Sequence, residues 1–170
     1  MSTVTIAESP IGPLTIGATD HGVRFVMWHD DQRPIPEAAQ AGTQATVIVE
    51  ATRWQLEEYF RGERTEFDLP LDPVGTPFQH AAWEALRTIA YGSTISYGEQ
   101  ARRLGDARKA RAVGAANGRN LIGIIVPCHR VVGANGSLTG FAGGLASKAW
   151  LLDHERRVLA SALISARADG

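Results

Sequence analysis

The stretch from Ser96 to Gly118, "SYGEQARRLGDARKARAVGAANG", decides how the chain folds. Ser96 and Glu99 have the Ser-x-x-Glu spacing of a capping box, which opens a helix by satisfying its first free N–H groups. "GDA" then interrupts, and "RKARAVGAANG" resumes a helical composition. Two helices joined by a very short, glycine-containing turn predict a helix-turn-helix. The second helix carries Ala110, Ala112, Gly114, Ala115 and Ala116 and is almost free of bulky side chains. Small residues let either a neighbouring helix or a duplex backbone approach the axis closely. Arg108 and Arg111 beside them favour the duplex.

Working upstream, "TPFQHAAWEALRTIA" places a Thr cap at 76 and Pro77 at the first helical position, with Phe78, Ala82, Leu86 and Ile89 on one face. Before it, "TEFDLPLDPVGTP" (Thr65–Pro77) combines a strand-like piece with prolines and a glycine and reads as a linker. The amino-terminal runs "TVTIAES", "GPLTIGA" and "VRFVMWH", separated by "PIG" and "DHG", predict three antiparallel strands. A proline-containing loop over Asp31–Gly42 follows. Val49, Leu56, Tyr59 and Phe60 then mark an amphipathic helix of about four turns, stopped at Gly62. The chain therefore divides into an α/β unit over 1–74, an antiparallel sheet plus a helix, and a mostly helical unit over 75–170 with the helix-turn-helix.

Downstream, "LIGIIV" (Leu121–Val126) reads as a buried strand leading to Pro127 and Cys128, and "VVGANGSLTG" contains an Asn-Gly turn of the hairpin type. "GLASKAWLLDHERRVLASAL" closes as a helix with Leu152, Glu155 and Leu159 on one face. The simplest reading of Glu155 is a boundary residue with its carboxylate in water. "SALISARADG" at the end carries no motif.

A chain of 170 residues, 44% hydrophobic and 21% charged, has ample material for a core and is not disordered. "LIGIIV" falls far short of the roughly 20 apolar residues a membrane span needs, so a cytosolic protein without membrane contact is expected. The net charge of −1 excludes a global field for nucleic acid. Between Tyr97 and Arg130, however, seven basic residues face two acidic ones, a local charge of +5. The lone cysteine, Cys128, excludes an internal disulfide, a Cys-rich zinc site and dithiol redox chemistry. It is either inert packing or a single nucleophile. Pro127 restricts its backbone, while His129 and Arg130 favour thiolate. On an extended strand neighbouring side chains face opposite ways, so His129 assists Cys128 only if the chain bends or a water bridges them.

"PCHRVVG" (Pro127–Gly133), with "ISYGE", "ARAVGAANG" and "GFAGGLASKAWLLDHE", closely resembles the O6-alkylguanine-DNA alkyltransferase family, in the family's order from about Thr76 to Glu155. "SPIGPL" (Ser9–Leu14) is similar to the family's start. The resemblance implies a ribonuclease H-like amino-terminal domain followed by a helical DNA-binding domain. It also implies direct-reversal repair: an alkyl group passes from O6-alkylguanine, and more weakly from O4-alkylthymine, in duplex DNA to the protein's own cysteine. The thioether is too stable to hydrolyse, so the protein reacts once and needs no cofactor.

By the same resemblance Cys128 is the alkyl acceptor, His129 the base acting through a water, and Glu155 the carboxylate that orients His129, which replaces the solvent-facing reading of that residue. Tyr97 meets the guanine edge and a phosphate, Arg111 fills the place of the flipped nucleotide, and Asn120 is the hinge to the active-site strand. The helix bearing Ala110, Ala112, Gly114 and Gly118 enters the minor groove without sequence preference. The carbonyls of Cys128 and Val131 and the amide of Ala142 read the guanine, beside Phe141. Leu121 stands where the family commonly has Pro, and Phe141 where it has Tyr, which alters the pocket for bulky alkyl groups. Relatives that bind zinc do so through amino-terminal cysteines, absent here, so no metal is expected. The implied partner is double-stranded DNA, bound by a monomer, with cooperative binding the open alternative. Non-repairing relatives replace the cysteine, so Cys128 argues against that class. A helix-turn-helix regulator would need a further domain, for which there is no room, and a thiol hydrolase would turn over repeatedly.

Overall fold

The computed structural model describes residues 3–35 and 41–168, and part of the expected 31–42 loop, residues 36–40, lies outside them. The three amino-terminal runs form β1 (Thr3–Ala7), β2 (Leu14–Thr19) and β3 (Gly22–Trp28), an antiparallel sheet in that order. Leu14, Ile16 and Ala18 alternate along β2 and are fully buried. The period-two pattern thus puts one face of the strand into the core. Helix α1 (Thr43–Phe60) supplies Ile48, Val49, Leu56 and Tyr59 to that core. It has 18 residues, about five turns rather than four. The extra turn is held from outside the helix, because the Asp20 carboxylate accepts the N–H groups of Gly42 and Ala45, both at 2.9 Å. A carboxylate at a helix N-terminus satisfies free donors and complements the dipole.

The linker is not loose. It runs along the edge of β3, exchanging backbone hydrogen bonds of 2.8 Å at Val23–Pro70 and Asp72–Val23. Asp72 is further held by Arg24 and by the Thr19 hydroxyl, each at 2.6 Å. Glycine is required at 22 because a Cβ there would sit 2.7 Å from the backbone of Pro70 and Leu71.

Helix α2 (Pro77–Leu86) opens on a complete capping box between Thr76 and Gln79. A two-residue strand β4 (Ile95–Ser96) leads into α3 (Tyr97–Arg103), a 3-10 turn over Ala107–Lys109, and α4 (Ala110–Asn117), the expected helix-turn-helix. Only half of the Ser96–Glu99 box forms. The serine hydroxyl accepts the Glu99 N–H at 3.1 Å, while the Glu99 carboxylate turns to Arg102 and Arg103.

"LIGIIV" is not a strand. Beyond a single bridge from Ile122 to Val26, it is a buried turn with Ile124 in the left-handed region at φ 70°. The Asn120 side chain explains it by donating to the Val126 carbonyl and accepting from the Ile122 N–H, both at 2.9 Å. An asparagine that supplies both a donor and an acceptor replaces the ladder an apolar run would otherwise seek. The Asn-Gly turn at 135–136 does form, with Gly136 at φ 81°, but no antiparallel hairpin follows. Instead β5 (Val131–Val132) pairs in parallel with β4. Helix α5 (Leu145–Ala168) closes the chain, burying Lys148, Leu151, Leu152, His154 and Glu155 on one face of its first half and exposing its last turns. One apolar core joins Leu14 and Tyr59 of the amino-terminal part to Leu86, Ile122, Val131 and Leu151 of the rest.

Candidate active site

Cys128 lies in a 3-10 turn, Cys128–Arg130, rather than at the end of a strand. That bend removes the alternation that would have turned His129 to the opposite face, although no direct hydrogen bond joins the two side chains. The thiol is half-buried on the wall of a cleft of about 390 Å³, along with Trp28, Tyr97, Asn120, Phe141 and Ala142. Burial pushes the thiol above its ordinary range, while an Asn120 hydrogen bond and the charges of Lys148 and Arg33 pull it back.

Behind the cleft, His129 and Glu155 are both fully buried, and His129 Nε2 meets Glu155 Oε2 at 2.7 Å. The carboxylate has further donors. Arg130 Nε reaches Oε1 at 2.9 Å and Nη2 reaches Oε2 at 3.0 Å, the Gly92 N–H reaches Oε1 at 3.1 Å, and the Tyr59 hydroxyl donates to Oε2 at 2.7 Å. Gly92 can turn its amide inward because it sits at φ 78°, and a Cβ there would strike Leu159 at 2.2 Å.

Burial alone would raise the Glu155 carboxyl, but His129 and Arg130 outweigh it and hold the group well below the usual carboxylate range. Burial dominates at His129 and lowers its pKa despite the pull of Glu155. Both shifts favour the uncharged forms, a neutral thiol and a neutral imidazole. With Nε2 turned to the ionised carboxylate, the proton sits on that nitrogen, and the buried Nδ1, without a partner among the described residues, is left as the base. Such a pair can accept a proton from the thiol as attack begins, because Glu155 stabilises the imidazolium then formed.

Asn120 ties the end of α4 to the turn before Cys128: its N–H reaches the Asn117 carbonyl at 3.1 Å, and its side chain organises residues 120–126. Tyr97, half-buried at the start of α3, lies over Gly114 and accepts the Thr139 hydroxyl at 3.3 Å. On α4, Arg111, Ala112, Ala115 and Gly118 are exposed and Ala110 and Gly114 half-buried, while Val113, Ala116 and Asn117 point inward. The inner face is fixed by Trp83 Nε1 donating to the Ala116 carbonyl at 2.8 Å and by a Gln100–Asn117 amide pair. Phe141 packs edge-to-face on Trp28, ring centres 5.3 Å apart. Val131 lies behind the wall, fully buried in β5.

The local charge of +5 is not all available to a partner. Arg102, Arg103 and Arg108 are in ion pairs with Glu99 or Asp106, and Arg130 is buried on Glu155. Arg111 forms no ion pair among the described residues. Arg130 and Tyr59 as partners of Glu155, and Lys148, which is fully buried with Nζ on the Thr139 carbonyl at 2.8 Å, escaped the sequence reading. Lys148 had a signal, since it stands seven residues before Glu155 on one face of a predicted helix. Tyr59 had none, being indistinguishable from any other core residue of α1. Among the described residues, no group of three or more His, Cys, Asp or Glu side chains could hold a metal ion.

Both halves of the chain match known proteins. Residues 77–157 match the 6-O-methylguanine DNA methyltransferase DNA-binding domain, and residues 3–73 match the ribonuclease-like domain of the same proteins. The methylated-DNA–protein-cysteine methyltransferase of Methanosarcina acetivorans is 47% identical over 150 residues, covering 88% of this chain and 96% of that one. The enzyme of that name from Mycolicibacterium paratuberculosis is 48% identical over 153 residues, covering 88% and 90%. A crystal structure of Mycobacterium tuberculosis OGT in complex with DNA superposes with a TM-score of 0.80 at 44% identity, covering 90% of this chain and 92% of that one. With both halves matched in order, the chain belongs to the 6-O-methylguanine DNA methyltransferase family.

Proposed function

We propose that the chain takes the alkyl group from O6 of an alkylguanine in duplex DNA onto Sγ of Cys128, once and irreversibly. The coarser statement follows from the family: this is a DNA-repair enzyme that transfers an alkyl group from DNA to its own cysteine. The observation that carries the finer one is the single thiol on a cleft wall, beside the small-residue face of α4 and in front of the buried His129–Glu155 pair.

The duplex lies against α4 through its minor groove, where Ala110, Ala112, Gly114 and Gly118 allow close approach and no base edge need be read. The alkylated nucleotide rotates into the cleft, and Arg111 takes its place in the stack, offsetting part of the few kcal/mol lost on unstacking. Phe141, Ala142 and backbone groups near Cys128 and Val131 hold the base. The thiol proton passes to His129 Nδ1 through a water, the sulfur attacks the alkyl carbon, and the carbon–O6 bond breaks with its electron pair moving onto the base. Tyr97 disperses that negative charge and helps return a proton to the leaving guanine. Glu155, kept ionised by Arg130, stabilises the imidazolium. Asn120 holds the recognition helix and the acceptor turn in fixed relation. O4-alkylthymine, with a similar carbonyl edge, is the weaker substrate. The protein acts as a monomer, and the division of labour falls near residue 74, sheet and α1 before it, DNA and thiol chemistry after it.

The test is the intact mass of the protein after incubation with a duplex containing one O6-methylguanine. One methyl group per chain on Cys128 is expected, and Cys128→Ser abolishes transfer while DNA binding persists. Repeated turnover, or transfer that survives the substitution, contradicts the proposal and favours a thiol hydrolase.

A further inference from the structure

Glu155 is held from both halves of the molecule. Arg130 and Gly92 reach it from the carboxy-terminal half, but the Tyr59 hydroxyl comes from α1, 96 residues away in sequence, and donates to Oε2, the oxygen that also faces His129 Nε2. Tyr59 is fully buried. Its ring is fixed among Phe60, Phe67, Tyr91 and His154, and its carbonyl is bonded to His154 Nε2 at 2.8 Å. Filling that space needs only a ring, as phenylalanine would supply. A buried hydroxyl is costly unless it is bonded, and this one spends its bond on the carboxylate behind the acceptor.

We infer that Tyr59 is a positioning residue through which the amino-terminal half sets the proton affinity of the His129–Glu155 pair. The inference rests on the proposed acceptor role of Cys128. Its physical basis is that donors on one carboxylate oxygen compete for the same negative charge. The bond from Tyr59 draws charge from Oε2 and so weakens the pull of that oxygen on the His129 Nε2 proton. The other groups around the pair do not compensate. Arg130, from the 3-10 turn, keeps the carboxylate ionised whether or not Tyr59 donates. The Gly92 amide engages Oε1. Tyr91, just before β4, has its hydroxyl pushed up to about 12 by burial and by Glu155, and it stays neutral at working pH. Lys148 on α5 disfavours a cation on His129, and Cys128 is the proton's source. Losing the Tyr59 hydroxyl therefore leaves more of the carboxylate's charge to His129, which then keeps its proton to higher pH.

The experiment uses the full chain and a duplex with one O6-methylguanine, following the methyl-transfer rate against pH together with the ring ¹⁵N shifts of His129. For Tyr59→Phe the acidic limb of the rate profile and the ¹⁵N titration are expected to move upward together by about 1 pH unit. Replacing Tyr59 alone by 3-fluorotyrosine, a stronger donor of nearly the same shape, moves both downward and carries the test if the phenylalanine variant folds poorly. An unchanged titration midpoint in these variants, or a loss of rate equal at every pH, overturns the inference and leaves Tyr59 a packing residue. If the parent protein transfers no methyl group, the proposed function fails instead, and the His129 titration still decides the role of Tyr59.

Discussion

At the scale of single residues, the site is a problem in burying charge. Glu155 is fully enclosed, and a carboxylate survives there only because Arg130 neutralises it and other donors fill its lone pairs. His129 next to it is kept neutral by burial. Both arrangements make stability depend on pH with the same sign. A histidine whose folded pKa lies below its ordinary 6.5 leaves the unfolded chain binding more protons below that pH, so stability falls as the solution is acidified through it. A carboxyl held below 4.5 adds a further loss as pH drops past that value. The melting temperature is thus expected to decline from about pH 6.5 downward and more steeply below about pH 4.5, read by circular dichroism from pH 8 to pH 4. A flat profile across that range would contradict the buried neutral imidazole. The sequence made Cys128, His129 and Glu155 candidates through the family motif. It gave Arg130 only a general role in favouring thiolate, because nothing local says which carboxylate a guanidinium will meet.

At the scale of elements, α4 shows how composition and packing divide one short helix. Its inner face is fixed by Val113, Ala116 and Asn117, and its outer face has nothing bulkier than Arg111. Arg111 is solvent-exposed and unpaired among the described residues, so Arg111→Ala is expected to change the melting temperature little, within about 0.5 kcal/mol of stability. The same substitution is expected to slow transfer from O6-methylguanine in duplex DNA by about tenfold, and in single-stranded DNA much less, since a strand without a stack leaves no gap to fill. Equal slowing on both substrates, measured by single-turnover kinetics, would remove the intercalating role. The helices and amino-terminal strands were legible because period and caps are local signals, as with Thr76 and Pro77. The segment 121–126 was not. Five apolar side chains and a glycine carry no period that separates a buried strand from a buried turn, and the deciding hydrogen bonds come from the side chain of Asn120. The added turn of α1 was hidden for a similar reason, its cap being Asp20 in the β2–β3 turn.

At the scale of the whole molecule, the proposed division near residue 74 is not one of stability. The edge of β3 is used twice, at Val23 by the linker and at Val26 by the turn before Cys128. The core is continuous across the division, and Tyr59 bonds Glu155 through it. Elements that share a core and a sheet edge melt together. Scanning calorimetry is therefore expected to show one transition. Asp72→Ala, which breaks the clamp on Arg24 and Thr19, is expected to lower that transition without splitting it. Two separable transitions would mean that the halves are held by far less than the structure indicates.

The sequence by itself determined the amino-terminal strands, the helices and the helix-turn-helix, the lone thiol and the motif around it, because each depends on residues within a few positions of one another. Only the tertiary structure decided the bend that carries Cys128, the burial of Arg130 and Lys148, and the tie from Tyr59 to Glu155. A buried charge must find its partners wherever the fold delivers them, and those partners leave no periodic trace in the chain.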